Sequence, residues 1–149
     1  MAKLRAFIVI AAAIAVLPAY ADGGTKLDRQ KAFVVEYYYK VRWGFSSEFI
    51  RLFKKNHYPI LKKQMDENRI LSIKAESPFY HSTEDSRWDY RVTVAWNSAT
   101  VAHDEYDGIA QRKILFPDEE VFKREEQRRF ELMLSHWDVV VEPVDLERQ

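Results

Sequence analysis

The chain has 149 residues, 23 basic and 23 acidic side chains, and no cysteine. A nucleic-acid binder needs a basic surface that displaces counterions, so the balanced charge argues against nucleic acid as a partner. Without cysteine no disulfide can stabilise the fold, so the core must do so, and it can draw on 9 Phe, 8 Tyr and 4 Trp.

The first 21 residues have the composition of a cleavable secretory signal. Two basic residues precede an apolar stretch, residues 7–17, that is too short to span a bilayer. Ala19 and Ala21 then form the small-x-small pattern that signal peptidase requires. We therefore expect a periplasmic or secreted protein that begins at Asp22 and has no stable membrane insertion after cleavage. The alternative is an uncleaved anchor.

The segment after the signal predicts a lead-in followed by a strand. Residues 22–30 are polar and include two glycines, which is typical of a flexible segment, and residues 31–149 are the right length for one domain. Residues 31–43 alternate and are rich in Val, Tyr and Phe, which favours a strand. One face would carry Phe33, Val35, Tyr37, Tyr39 and Val41, and the other Val34, Glu36, Tyr38, Lys40 and Arg42.

A helix is predicted next, because apolar residues recur at helical spacing as far as about Asn68. Ser46 or Ser47 is the expected N-cap. Pro59 lies inside the pattern, and since proline removes a backbone hydrogen bond, we expect a kink near His57.

Two strands and a second helical region follow. Residues 70–76 predict a strand with Leu71, Ile73 and Ala75 on one face, and residues 88–96 predict one in which Trp88, Tyr90, Val92, Val94 and Trp96 share a face. Helices are expected over residues 99–113, after Asn97 or Ser98 and weakened by Gly108, and over residues 119–135. Residues 137–141 predict the last strand.

This βαββαβ order predicts an α+β, ferredoxin-like fold. Right-handed crossovers place both helices on one face of a four-stranded antiparallel sheet. The uncovered face would carry Glu36, Tyr38, Lys40, Arg42, Ser72, Lys74, Glu76, Asp89, Arg91, Thr93, Asp138, Val140 and Glu142. This face is either solvated, with scattered cross-strand pairs, or covered by a second copy in a closed barrel.

Two segments resemble the dimeric α/β-barrel superfamily, in particular its EthD-like and NIPSNAP-like members. The text EFIRLFKKNHYPILKKQ (residues 48–64) is similar to their helices, where a His-x-Pro follows an aromatic-rich turn, and VAWNSATVAHDEY (residues 94–106) has a Trp ending the third strand. The resemblance implies a homodimer with a cleft between sheet and helices in each subunit. Members include cofactor-free monooxygenases and haem enzymes. No haem-ligand motif is evident here, and we expect no cofactor.

His57 is the candidate catalytic residue, because it falls inside the apolar arc of the first helix and Pro59 frees a backbone carbonyl near it. An imidazole there can exchange a proton near neutral pH. The alternative is a buried histidine satisfied by one hydrogen bond.

The aromatic side chains of the expected inner face are candidates for ligand binding or for plain core: Tyr37, Tyr39, Phe53, Trp88, Tyr90 and Trp96. On the opposite face, Glu36, Tyr38 and Arg91 would form either a polar site in a barrel lumen or a structural ion-pair network. The remaining histidines do not have the spacing of metal ligands, so no metal site is predicted.

Three functional hypotheses remain open. The first is an exported α/β-barrel homodimer that binds a small, partly apolar molecule in the sheet–helix cleft. The second is a cofactor-free monooxygenase-like enzyme that uses His57. The third is a structural or interaction homodimer without a ligand, which predicts a filled interior.

The signal assignment predicts where the mature protein begins. Mass spectrometry of protein recovered from the periplasm or the medium should give a mass that starts at Asp22. Ala21→Phe should block cleavage, because the peptidase pocket admits only small side chains. Recovery of wild-type protein that retains Met1 would contradict the assignment.

Overall fold

The computed structural model describes residues 32–106 and 108–147. The predicted signal and lead-in therefore lie outside the described residues. Four antiparallel strands form one sheet in the order β2-β3-β1-β4, which confirms the ferredoxin-like α+β fold. The strands are β1 (Phe33–Val41), β2 (Ile70–Glu76), β3 (Tyr90–Trp96) and β4 (Met133–Val141).

The helices form two groups between the strands. The first connection, between β1 and β2, contains α1 (Ser46–Leu52), a π-helical turn (Phe53–His57) and α2 (Tyr58–Asp66). The second, between β3 and β4, contains α3 (Ala99–His103), α4 (Gly108–Leu115) and α5 (Glu119–Leu132). None of the helices within residues 32–106 and 108–147 has the length and apolar character needed to cross a bilayer.

The core lies between the sheet and the first helical group. The predicted alternation of β1 is confirmed, since Val35, Tyr39 and Val41 are buried. These side chains share one cluster with residues of α1, the π-helical turn, the other strands and the end of α5, namely Phe49, Leu52, Phe53, Ile70, Tyr90, Val92, Val94, Trp96 and Leu132.

The start of the first helix differs from the prediction. Ser46 is the first helical residue, and Phe45 occupies the N-cap position without a side-chain hydrogen bond. Instead of a kink near His57, the chain forms one π-helical turn immediately before Pro59. Pro59 lies in the first turn of α2, where its missing N–H costs little. After α2, Asn68 takes a left-handed conformation (φ 57°) that directs the chain into β2.

Two side chains predicted to face the helices do not. A register shift between Ile70 and Ser72 makes Ile70 the buried residue and leaves Leu71 exposed. Trp88 precedes β3 rather than beginning it, and its ring meets Tyr38 edge-on at 5.7 Å on the open face of the sheet. Because Trp88 lies outside the strand, the period of two does not fix its side.

The last strand is longer than predicted and presents the opposite faces. The α5 helix ends at Leu132 rather than at residue 135, and Met133 begins β4. Tyr37 pairs with Asp138 and Val35 with Val140, so Asp138 and Val140 lie on the helix side. Trp137 and Val139 face the open side. The predicted assignment of Asp138 and Val140 to the open face was therefore wrong, and Glu142 lies beyond the strand.

The helix predicted over residues 99–113 is two helices. Ser98 caps α3 as expected, accepting a hydrogen bond from the Val101 N–H at 3.2 Å. Asp104 then leaves the helical conformation and pairs with Arg69, whose Nη1 lies 3.1 Å from Oδ2 of Asp104. The second helix begins at Gly108. This ion pair stabilises the break, and glycine has a low helix propensity.

Candidate functional site

The π-helical turn directs Phe53, Asn56 and His57 toward the interior. Asn56 is buried, and its amide donates a hydrogen bond to Oε2 of Glu125 in α5 at 3.1 Å. Lys55 pairs with the other oxygen of that carboxylate at 2.6 Å. The Glu125 carboxylate therefore fastens the turn to α5. π-Helical turns occur frequently at functional sites because they re-aim side chains within a helix.

A small cavity of about 100 Å³ lies beneath this turn. His57, Phe53 and Leu61 form its helical side. Its floor is formed by Tyr37 and Tyr39 of β1 together with Val92 and Val94 of β3. Four predicted site residues, Tyr37, Tyr39, Phe53 and His57, therefore meet at one cavity.

A larger apolar groove of about 390 Å³ adjoins this cavity. It shares Phe53 and Val92 with the cavity and runs between the first helical group and the β2 edge. The other lining residues are Lys54, Tyr58, Ile73, Ala75 and Tyr90. Pockets for small molecules typically measure roughly 300–1,000 Å³, so the groove has a suitable size whereas the cavity alone does not. We refer to the groove and the cavity together as the cleft.

Burial keeps three titratable side chains of the cleft, His57, Tyr39 and Tyr90, neutral at pH 7. Burial lowers the pKa of His57 to about 4, and the positive charge of Arg129 adds to this effect, while Glu126 opposes it. Burial likewise raises the pKa of Tyr39 well above its usual value and also raises the pKa of Tyr90. His57 is therefore a neutral imidazole and the tyrosines are hydroxyls.

Arg129 supplies the positive charge that acts on His57. It is buried in α5 and pairs with both carboxylate oxygens of Glu126, at 3.0 and 2.8 Å. Its guanidinium lies 6.0 Å from the Phe53 ring centre and 5.9 Å from that of Phe49. Because its charge is compensated and packed against rings, Arg129 lowers nearby pKa values without exposing a free cation.

Two polar residues beside the cleft were missed by sequence reasoning. His136 of β4 stacks on Tyr39 with 4.5 Å between ring centres, and its Nε2 lies 3.2 Å from Oδ1 of Asp138. The signal in the sequence was the period of two that puts His136 and Asp138 on one side of a strand. It was overlooked because Trp137, Val139 and Val141 form the more apolar set, which was expected to face the core.

The other predicted site residues lie elsewhere. Trp96 is buried at the end of β3 and lines neither the groove nor the cavity, and Trp88 is on the open face. Glu36, Tyr38 and Arg91 do come together on that face. The Tyr38 hydroxyl donates to Glu36 at 2.5 Å, and Arg91 lies 3.5 Å from Glu36 and 2.5 Å from Glu76. The hydroxyl, the carboxylates and the guanidinium therefore form one network of hydrogen bonds and ion pairs.

The described residues contain no group of three or more His, Asp or Glu side chains arranged to hold a metal ion.

Comparison with known proteins agrees with the fold. No protein-family model matches the sequence, and no curated protein is significantly similar to it. A dimeric ferredoxin-like protein from an uncultured marine organism has 8% identity and a TM-score of 0.50 over 79% of this chain and 94% of its own. The chain has the ferredoxin-like fold. At this identity the match shows the fold alone.

Two further solved structures superpose less closely. An uncharacterised NIPSNAP domain protein from Burkholderia xenovorans has 13% identity and a TM-score of 0.43, covering 76% of this chain and 96% of its own. A candidate antibiotic biosynthesis monooxygenase from Bacteroides thetaiotaomicron has 8% identity and a TM-score of 0.47, covering 78% and 93%.

The environment of His57 predicts a pH dependence of stability. The unfolded chain binds a proton at this side chain near pH 6.5, whereas the folded chain binds it near pH 4. Stability from this group is therefore complete at pH 7, decreases as the pH falls from about 6.5 to 4, and changes no further below that. Since one pKa unit corresponds to about 1.4 kcal/mol, the loss is at most about 3.5 kcal/mol.

The free energy of unfolding, measured with denaturant at pH 7 and at pH 4 for wild type and for His57→Phe, isolates the contribution of His57. The variant should lose less of its free energy of unfolding between the two pH values, and proton NMR should show the wild-type His57 ring titrating near pH 4. Equal losses in both proteins would contradict the assigned environment.

Proposed function

We propose that this chain is an exported homodimer that binds a small, partly apolar molecule in the cleft. The observation that carries the proposal is the adjacency of the two spaces: an apolar groove of ligand size shares Phe53 and Val92 with a cavity walled by a neutral imidazole. The groove suits an apolar body, and His57 with the Tyr39 hydroxyl suits one polar group.

Export rests on the amino-terminal sequence, with its short apolar stretch and small residues before Asp22. A protein outside the cytoplasm that has no disulfides depends on its core, and this chain has the aromatic core to match. Export also places the cleft where it meets small molecules of the periplasm or the surroundings.

Dimerisation rests on the composition of the open sheet face. Trp137 stacks on Tyr38 at 5.3 Å, and Val139 extends the apolar surface along β4. Apolar and aromatic side chains grouped on a sheet face mark an interaction surface. The dimeric ferredoxin-like protein of the same fold shows that this architecture supports dimers. The dimer would therefore form by packing of this face against the same face of a second copy.

The two alternatives are weaker. An enzyme of the cofactor-free monooxygenase kind is favoured by one observation, the imidazole at the cavity wall. With its pKa near 4, His57 serves as a proton acceptor at neutral pH and not as a proton donor. A purely structural homodimer predicts a filled interior, and the groove of about 390 Å³ argues against it.

Filling the groove should abolish ligand binding while the fold remains. Ala75 is exposed and lines the groove, so an indole at this position occupies the ligand's space without removing a core side chain. Ala75→Trp should weaken binding of N-phenyl-1-naphthylamine, a neutral fluorescent apolar probe, at least about tenfold, which corresponds to 1.4 kcal/mol.

The matched control for this experiment is Ala99→Trp. Ala99 is exposed at the start of α3 and lines neither part of the cleft. This variant should bind the probe with wild-type affinity. If Ala75→Trp also binds like wild type, the groove is not the ligand site.

A charge on the open face should separate the dimer. Val139 is 39% exposed on this face, whereas Val144 is 79% exposed in the segment after β4. Val139→Glu would place an unpaired carboxylate in an apolar interface, which is unfavourable by several kcal/mol. Sedimentation velocity should show a dimer for wild type and for Val144→Glu, and a monomer for Val139→Glu. A monomeric wild-type protein at micromolar concentration would refute the dimer.

A further inference from the structure

The apolar groove has one charged side chain in its wall. Lys54 of the π-helical turn lines the groove, whereas the other described residues that line it are aliphatic or aromatic, and none of them is acidic. Lys54 and Tyr58 are both exposed, so they form the mouth of the groove. The floor is the ladder between the edge strand β2 and β3, where Ala75 pairs with Val92. A molecule in the groove therefore lies on apolar side chains and meets one cation where it reaches solvent.

The Lys54 ammonium has no counter-charge within the part of the chain that the structure describes. Its neighbour Lys55 pairs with Glu125 at 2.6 Å, but Lys54 forms neither an ion pair nor a hydrogen bond with any described residue. The sequence explains why, because the positions three and four residues away on the helix contain no acid: Ile50, Arg51, His57 and Tyr58. A lysine stem packs on apolar surface while its ammonium stays in water. The charge of Lys54 is therefore available to a ligand at the groove mouth.

The cavity end of the cleft offers no comparable site for a charged group. His57 and Tyr39 are neutral there at pH 7. Arg129 is paired with Glu126 and lines neither the groove nor the cavity. Burying an ion without a counter-charge is strongly unfavourable. A charged group of a ligand is therefore stabilised at the groove mouth, and the apolar part of the ligand lies deeper, toward the cavity.

We propose that the ligand is an anionic amphiphile: an apolar body, held between the β2–β3 ladder and the first helical group, that ends in one anionic head group such as a carboxylate. The Lys54 ammonium pairs with this head group, and Tyr58, which shares the groove mouth, has a hydroxyl that can donate a hydrogen bond to it. This inference rests on the proposed function, because it assumes that the cleft holds a small molecule. It adds the charge of that molecule and its orientation in the groove.

The charge at the mouth selects among molecules that have the same apolar body. A neutral amphiphile leaves the ammonium in water, an anion gains an ion pair, and a cation is repelled. An ion pair exposed to solvent corresponds to at most about fivefold in affinity, and the repulsion of a cation is of similar size. The apolar area that is buried therefore determines how tightly the ligand binds. Lys54 determines which head group is preferred.

The test compares decanoate, decan-1-ol and decylammonium, which share one decyl chain, as competitors that displace N-phenyl-1-naphthylamine. At pH 7 the carboxylic acid is ionised and the amine is protonated. Below their micelle concentrations, wild type should bind decanoate about threefold to fivefold more tightly than decan-1-ol, and decylammonium more weakly than decan-1-ol.

Two substitutions of Lys54 change the charge at the mouth. Lys54→Met keeps an unbranched apolar stem and removes the charge, so the preference for decanoate over decan-1-ol should disappear. Lys54→Glu should reverse the preference, so that decylammonium binds more tightly than decanoate. The affinity of each variant for decan-1-ol is its own reference, because a general loss of binding then cancels from the comparison.

Lys113→Met is the matched control. Lys113 is an exposed lysine of α4 that, like Lys54, forms no ion pair with a described residue, and it lines neither part of the cleft. This variant should prefer decanoate as wild type does. If either Lys54 variant keeps the wild-type preference, or if wild type binds decanoate no more tightly than decan-1-ol, the inference is overturned while the binding function stands. Failure of wild type to bind the naphthylamine and all decyl compounds overturns the proposed function, and this inference with it.

Discussion

The packing around the Tyr39 ring is the interaction on which the rest of the structure depends. In the sheet, Tyr39 pairs with Tyr90 on one side and His136 on the other. Above the sheet its ring contacts Phe49 of α1 and Phe53 of the π-helical turn, at 5.2 and 5.8 Å. One buried side chain thus lies between two neighbouring strands, packs against the first helical group and lines the cavity. Its hydroxyl stays neutral because charging it would cost desolvation energy.

The polar groups near Tyr39 follow from the same packing. A buried cation needs compensation, and Arg129 receives it from Glu126 on the preceding turn of α5. The buried amide of Asn56 is also satisfied, because it donates a hydrogen bond to the Glu125 carboxylate. His57 lies against the cavity with its ring centre 4.9 Å from that of Phe53, and burial lowers its pKa. The interior therefore contains satisfied polar groups that fix the π-helical turn and one neutral imidazole beside the open space. This division of roles separates the scaffold from the candidate site.

Much of the fold was predictable, and about half of the candidate site. The period of two in residues 33–41 is clear, since one set is entirely aliphatic or aromatic and the other contains Glu36 and Lys40, and β2 was predicted with the bounds that it has in the structure. Of the predicted site residues, Tyr37, Tyr39, Phe53, His57 and Tyr90 line the groove or the cavity, and their role in binding or catalysis stays a prediction. Trp88 was misplaced because strand periodicity does not extend past the end of a strand. Ile73 and Ala75 were predicted to face the helices. The groove that they line could not be predicted, because it depends on the distance between the helices and the β2 edge in the folded structure.

The sequence by itself determined the order of the strands and helices, and which residues of β1 face the helices, because the set that contains Glu36 and Lys40 costs far more to bury than the aliphatic and aromatic set. In β4 one set contains His136, Asp138 and Val140, and the other set, Trp137, Val139 and Val141, is apolar and was expected to face the core. Only pairing with β1 decided that the histidine and the aspartate lie beside the cleft, while the tryptophan and the valines face outward. A period of two fixes which side chains share a face, and only hydrogen-bond register in the folded sheet fixes what that face meets.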